Sequence, residues 1–324
     1  MNKKSILKLV LHLCFGWILI FQASHAQTYP VKPIRLIVTY APGGTADVLA
    51  REIGNKMSLS MGQQVVVENK AGASGVIGAD ALAKAAPDGY SFGLLSSGHT
   101  ALPFATKLPF ELLRDFAPIA IMASVPGVLS VNSAVPAKDL QELLSLAQNK
   151  PGVLNSGNPG NLSAGHLAIE MLKIQSKVDI VSIPYKGGGP ALADLIGGQL
   201  TMMVAGPASQ MPHLISGKLR AIAVTSLVRT KGLPSVPTIA ESGFPDFELN
   251  EWYGFFAPSK VSQDIVLKLN QEIIKAIQSQ DVQKRMLALG AESSNFTPDQ
   301  FGGFVKKESE KLGHLVKTLN LKAE

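Results

Sequence analysis

The segment Tyr40-Ala41-Pro42-Gly43-Gly44-Thr45-Ala46-Asp47-Val48-Leu49-Ala50-Arg51 joins the end of an apolar run to a Pro-Gly-Gly corner and then to the opening of a helix. Backbone N–H groups in the first turn of a helix lack internal partners and carry roughly half a positive charge, so glycines that admit a ligand there make a seat for a carboxylate or phosphate. Asp47 adds a directional carboxylate beside that seat, an acceptor for a ligand ammonium or hydroxyl. The same residues also suit an ordinary strand-to-helix turn, in which Asp47 bonds helix N–H groups or pairs with Arg51 one turn on. The other loops have to separate these alternatives.

In an open parallel sheet, ligands bind beyond the carboxyl ends of the strands, which makes the residues just after each strand the ones to read. Here they are small and polar: residues 41–47, then Ala71-Gly72-Ala73-Ser74-Gly75, then Ser96-Ser97-Gly98-His99-Thr100. Further on come residues 156–163, then Tyr185-Lys186-Gly187-Gly188-Gly189, then Ala205-Gly206-Pro207. One such loop says little, because turns need Gly and Ser for backbone reasons. Their recurrence in both halves of the chain fits a polar cleft whose donors are backbone N–H and hydroxyl groups. Lys186 adds a positive charge to that cleft or is a solvated loop lysine; Tyr185 adds a wall or a phenolic donor.

Enzyme signatures are thin. Ser163 and His166 could share a helix face, yet Asn161-Leu162-Ser163-Ala164-Gly165 lacks the first glycine of a Gly-x-Ser-x-Gly elbow, and Ser163 reads better as a helix N-cap whose hydroxyl also touches a ligand. His99, His166, His213 and His314 have no Cys, Glu or His at metal-ligand spacing, so no metal site is expected. Gly72, Gly75 and Gly78 miss the dinucleotide fingerprint and no phosphate loop occurs, so no cofactor is expected either. Asp47 is the single acid that the pattern places at a cleft loop, too little for acid–base catalysis. The expectation is a protein that binds and does not catalyse.

The elements that position these loops follow from hydrophobic spacing. Strands are expected at 34–40, 64–68, 91–96 and 118–123, with helices at 47–60 and 76–85; this alternation means an α/β fold with a parallel sheet. The rhythm restarts with strands at 127–131, 179–184, 202–205 and 219–224 and helices at 137–149, 163–176 and 190–197. A proline-rich loop follows, then an aromatic extended segment at 247–257 that can return the chain to the first lobe, then three amphipathic helical patterns that look like scaffold. Hinges are expected near 120–125 and 250–255, which gives lobe 1 from 27–123 plus 252–324 and lobe 2 from 124–251.

Residues 1–26 carry Lys3, Lys4 and Lys8 before a greasy run and end in Ser24-His25-Ala26, the pattern of a secretory signal peptide cleaved after Ala26. Cleavage would remove Cys14, the single cysteine, and lower the formal charge from +6 to +3. Scattered Lys and Arg argue against a nucleic-acid partner. Roughly 300 remaining residues are enough for two cores and a cleft between them.

The ordered motifs resemble one family over nearly the whole mature chain: the periplasmic substrate-binding receptors of tripartite tricarboxylate transporters, the Bug receptors. The residues that carry the resemblance are Tyr29-Pro30 with Lys32-Pro33-Ile34, Pro42-Gly43-Gly44 with Asp47 and Ala50-Arg51, and Val67-Glu68-Asn69-Lys70-Ala71-Gly72-Ala73-Ser74-Gly75. Ala86-Pro87-Asp88-Gly89-Tyr90, Pro184-Tyr185-Lys186-Gly187, Gly197-Gly198-Gln199 and Leu233-Pro234 with Val236-Pro237-Thr238 continue it, and Trp252 closes it. It implies a two-lobed, periplasmic-binding-protein-like clam shell with two parallel-rich sheets, helices on both faces and two hinge crossings. It also implies a chain that closes on a small organic acid anion and presents it to membrane permease subunits; a monomer is expected.

Carried over by motif, the resemblance points to Pro42, Gly43, Thr45 and Asp47 on one side of the cleft and to Ser163, Tyr185, Lys186, Gly187 and Ala205 on the other, with Ser74 and Ser97 as additions. Asp47 matches the position that meets an amino group or hydroxyl at the ligand's far end. Asn158-Pro159-Gly160-Asn161 departs from the family's short Gly/Ser form, and Lys311-Leu312-Gly313-His314 stands where a tryptophan is common. Rival readings are a ligand sensor that signals without transport and an exported hydrolase using Ser163 and His166.

Overall fold

The structure, a computed structural model, describes residues 29–185 and 187–322; the expected signal peptide, with Cys14, and the loop residue Lys186 lie outside them. The chain runs β1 (Ile34–Val38), α1 (Thr45–Met61), β2 (Val65–Asn69), α2 (Val76–Ala83), β3 (Ser91–Ser96), α3 (Ser97–Ala101), α4 (Leu112–Asp115) and β4 (Phe116–Val125). It then crosses to β5 (Val128–Asn132), α5 (Leu140–Asn149), β6 (Asn155–Asn158), α6 (Ala164–Ser176), β7 (Val181–Pro184), α7 (Gly188–Ile196), β8 (Met202–Ala205), α8 (Pro207–Ile215) and β9 (Leu219–Val224). It returns through β10 (Glu251–Pro258) and ends in α9 (Gln263–Ile277), α10 (Gln280–Ala288) and α11 (Pro298–Thr318).

Two five-stranded sheets result, ordered β2-β1-β3-β10-β4 and β7-β6-β8-β5-β9. Each is parallel except for one strand, β10 in the first and β5 in the second, which runs antiparallel to its neighbours. These are the first strands formed after each crossing between sheets. The two-lobed α/β architecture with parallel-rich sheets is therefore the one expected.

Side-chain alternation along the strands puts helices on both faces. In the first sheet Ile34, Leu36 and Val38 of β1 and Phe255 of β10 pack with Leu49 and Ile53 of α1 and with Leu269 and Ile273 of α9. Ile37, Trp252 and Phe256 point the other way, onto Leu82 of α2 and Phe301 and Val305 of α11. In the second sheet Met202 and Val204 of β8 face α5 and α6, and Met203 faces α7. Helix α11 touches both systems: Leu312, Leu315 and Val316 belong to the cluster that also holds second-sheet residues.

Two elements of the second lobe are absent from the sequence reading. Asn155-Ser156-Gly157-Asn158 form β6 despite their polar, turn-like composition, because parallel bonding to β7 and β8 on both sides overrides propensity. Helix α8 starts at Pro207, a favoured first-turn position, and carries Pro212 inside, the residue that breaks a helical pattern on paper. The Ser96–Thr100 segment, read as a loop, is helix α3, opened by a reciprocal cap between Ser96 and His99.

Strand β10 lies so close to α11 that a Cβ at Gly254 would sit 2.2 Å from Phe301 Cζ. Gly254→Ala should overpack this contact and cost about 1–3 kcal/mol, measured as a lower denaturant midpoint at unchanged slope.

Candidate functional site

The Pro-Gly-Gly corner leaves β1 and enters α1 with Gly43 at φ +90°, in the left-handed region that glycine tolerates. Gly44 is the N-cap, extended at φ −78° and ψ 170°, and no side chain caps the helix. The N–H groups of Thr45 and Ala46 find no partner among the described residues, whereas Val48 N–H donates to Gly44 O at 3.0 Å. The corner therefore presents first-turn amides outward, as an anion seat requires.

Asp47 is what holds the corner in place. Its Oδ2 accepts from Gly43 N at 2.9 Å and Arg51 Nε at 3.1 Å, and its Oδ1 accepts from Asn69 Nδ2 at 2.8 Å. Asn69 also donates to Tyr40 O at 3.0 Å, which ties the end of β2 to the end of β1. Burial raises the cost of the charge on Asp47, but the bonds from Arg51, Gly43 and Asn69 and the Arg51 charge together hold its carboxyl below the ordinary range. The residue is 3% exposed and lines neither cavity described below. The expectation that Asp47 meets the far end of a ligand is thus corrected: the turn reading wins, because every lone-pair direction it could offer is already taken by the protein.

Two adjoining cavities of about 680 and 660 Å³ lie between the sheets and share Pro159, Ser163, Gly188, Glu251 and Tyr253. The first is ringed by helix starts: Gly43, Gly44 and Thr45 of α1, Ser163 to Gly165 of α6, Gly188 of α7, and Gly206, Ala208 and Ser209 of α8. Among these, α1, α7 and α8 have no side-chain cap. Ala205 also lines this cavity. The second is bounded by Thr39, Tyr40, Ser74, Gly75, Ser96, Gly98, residues 159–163 and Tyr185. The Asn158-Pro159-Gly160-Asn161 departure thus forms a cleft wall, with Gly160 at φ +130° and Leu162 at φ +62°.

Of the expected site residues, Gly43, Thr45, Ser74, Ser163, Tyr185 and Ala205 come together on this cleft. Pro42 is exposed at the corner, Gly187 sits just behind the lining Gly188, and Ser97 is buried behind Ser96. Tyr185 spends its hydroxyl on Asp194, donating at 2.7 Å, so it contributes a wall. Ser163 caps α6, accepting from His166 N at 3.3 Å. The His166 ring turns away from it: Nδ1 accepts from Leu162 N at 3.2 Å and Nε2 lies 3.8 Å from Glu170 Oε1, so no serine–histidine pair is assembled.

Sequence reasoning missed Glu251, which lines both cavities. Trp252 is buried in the core, so strand alternation turns Glu251 and Tyr253 toward the cleft; that was the available signal. Desolvation pushes the Glu251 carboxyl up from 4.5 to about 7, tempered by the nearby hydroxyls of Ser97 and Ser96. Its negative field, after burial, also raises the hydroxyls of Tyr40 and Tyr253.

The family model described as "Tripartite tricarboxylate transporter family receptor" matches residues 49–321. The chain belongs to this family. The receptor is 37% identical over 300 residues to Protein BugT of Bordetella pertussis, covering 92% of each chain. It superposes on the periplasmic binding protein BugD with a TM-score of 0.77 at 34% identity, covering 91% of this chain and 100% of that one. It is similar, with a TM-score of 0.80 at 32% identity over 91% of this chain and 100% of the other, to an R. palustris protein solved with adipate. A Rhodopseudomonas palustris protein with bound malate gives 0.76 at 32% identity, covering 89% of the receptor and 100% of that chain.

Two outcomes follow from the geometry. Asp47→Ala should strip Gly43, Asn69 and Arg51 of their acceptor and destabilise the receptor by about 1–3 kcal/mol, read in denaturant unfolding without ligand. For Glu251, the folded chain holds an extra proton between the unfolded value of 4.5 and about 7, so its contribution to stability falls as pH rises through that window. Glu251→Gln should therefore flatten the pH dependence of Tm and melt several degrees above the parent at pH above about 7, with little difference near pH 4.

Proposed function

We propose that this receptor is an exported periplasmic protein that binds one small organic acid anion in the interlobe cleft and delivers it to membrane permease subunits of a tripartite transporter, without catalysing a reaction. The observation that carries this reading is the convergence of the α1, α6, α7 and α8 N-termini on one cavity with no Lys, Arg or His among its described lining residues. Partial positive charge from unpaired amides, supplied by both lobes, suits a carboxylate that must be held and then released. The adipate and malate found in the two R. palustris relatives are ligands of this chemistry.

On this reading Gly43, Thr45, Ser163 and Ala205 hold the carboxylate, directly or through water; Ser74 and Tyr185 bound the rest of the ligand; and Lys186 adds charge from the loop before α7. Pro42, Gly187 and Ser97 support the lining from behind. The lobes are 27–123 plus 252–324 and 124–251, and they close about the crossings that leave β4 and enter β10, shifting an open–closed population. Secretion requires cleavage after Ala26, and the receptor works as a monomer.

Thr45 offers a clean test. It is the first helical residue, and Gly44 before it already has the extended backbone that a following proline demands. Thr45→Pro should leave Tm within about 2 °C while removing one N–H from the seat, and should weaken the best small carboxylate found by thermal shift on the order of tenfold in calorimetry. Thr45→Ala, which keeps the amide, separates the loss of the hydroxyl. Unchanged affinity in Thr45→Pro, or no stabilisation by any small carboxylate, would overturn the reading.

A further inference from the structure

The first-sheet wall of the cleft carries a group that a carboxylate seat does not use. Glu251 and Tyr253 line both cavities and Tyr40 lines the second beside them. The Tyr40 and Tyr253 rings stand edge to face, centroids 5.7 Å apart at 86°, and the Tyr40 hydroxyl is fixed by donating to Ser96 Oγ. Glu251 is the one carboxylate among the described lining residues of either cavity.

Among the described residues, the elements packed around Glu251 supply no cation to balance it. The end of β3 brings Ser96, and helix α3 brings Ser97 and His99, whose imidazole burial drives down to about 4 and keeps neutral. The end of β1 brings Tyr40, its own strand brings Tyr253, and its register partner on β4 is Val125. Across the cleft stand Pro159, Ser163 and Gly188. A carboxyl with two aromatic rings and no basic neighbour among the described residues is the arrangement that attracts a ligand cation, through charge and through the ring quadrupoles together. The second carboxylate of a dicarboxylic acid would instead meet like charge there.

Resting on the carboxylate reading above, we propose that Glu251, Tyr40 and Tyr253 form a cation subsite, so that the receptor's ligand is a zwitterion, a small amino acid or betaine whose carboxylate meets the helix starts and whose nitrogen meets Glu251. Arrival of a cationic nitrogen restores the ionised form of Glu251, so binding near pH 7 expels part of a proton; a dicarboxylate would draw one in.

The test is calorimetry on the purified chain with matched probes of equal carbon count: α,ω-amino acids, their trimethylammonio counterparts, dicarboxylates, plain fatty acids and carboxylate-free alkylamines, from glycine-sized to caproate-sized. The expected result is that the best zwitterion outranks its matched dicarboxylate and fatty acid on the order of tenfold or more, and that titrations in buffers of different ionisation enthalpy show proton release. Primary and methylated nitrogens then distinguish an amino acid from a betaine. Glu251→Gln should reverse the ranking of zwitterion and dicarboxylate, with Tm as the check on folding; the proton count on the parent chain decides the matter should that variant not fold. Dicarboxylates or fatty acids binding as tightly as the zwitterions, or proton uptake with every ligand, would overturn the cation subsite and leave the carboxylate seat standing. Alkylamines binding as well as amino acids, or no carboxylate binding at all, would overturn the carboxylate seat itself.

Discussion

Unpaired amides at the starts of helices are the constraint around which this receptor is arranged. A first-turn N–H facing a cleft must find water, a side chain or a ligand, and burying it unpaired costs about 1–3 kcal/mol. At α6 the fold answers with Ser163, yet at α1, α7 and α8 no side chain caps the helix and glycines keep the approach open.

That arrangement demands a stiff frame, because weak partial charges act only at short range. Helix α6 lies so tightly against β8 that a Cβ at Gly165 would sit 2.2 Å from Val204 O, and α1 is fastened through Asp47 to both β1 and β2. Asp47 shows why a first-turn residue of binding chemistry can serve architecture: its charge is spent inside the corner, so that the amides in front of it stay in register with the cleft. The corner and its staple form a unit in which the visible chemistry belongs to the backbone and the side chain works behind it.

The strand–helix rhythm of both lobes was legible because apolar side chains run almost unbroken wherever a strand is covered on two faces, as in β1, β3 and β8. It failed where covering came from neighbours instead of composition: Asn155-Ser156-Gly157-Asn158 become a strand because β7 and β8 flank them, and α8 hides behind Pro207 and Pro212. The glycine corner could be read directly, since its spacing has few other uses. The direction of Asp47 could not, because the sequence shows Arg51 one turn away but not Asn69 arriving from the next strand. Glu251 was hidden in a segment read for its aromatics as a hinge, although the burial of Trp252 dictates where its neighbours point.

A receptor of this kind has to hold its ligand firmly enough to close and loosely enough to let go. No lysine or arginine stands among the described lining residues of the first cavity, where a fixed one would raise affinity but leave a buried charge whenever the cavity shut empty. Amides at the helix starts avoid this at that cavity. Neither α1 alone nor the α6, α7 and α8 starts alone surround the first cavity, so on the proposed reading an anion gains most from the conformation in which both sets face it. A ligand moves a conformational equilibrium only by its difference in affinity for the two states, and splitting the seat across the lobes is what creates that difference.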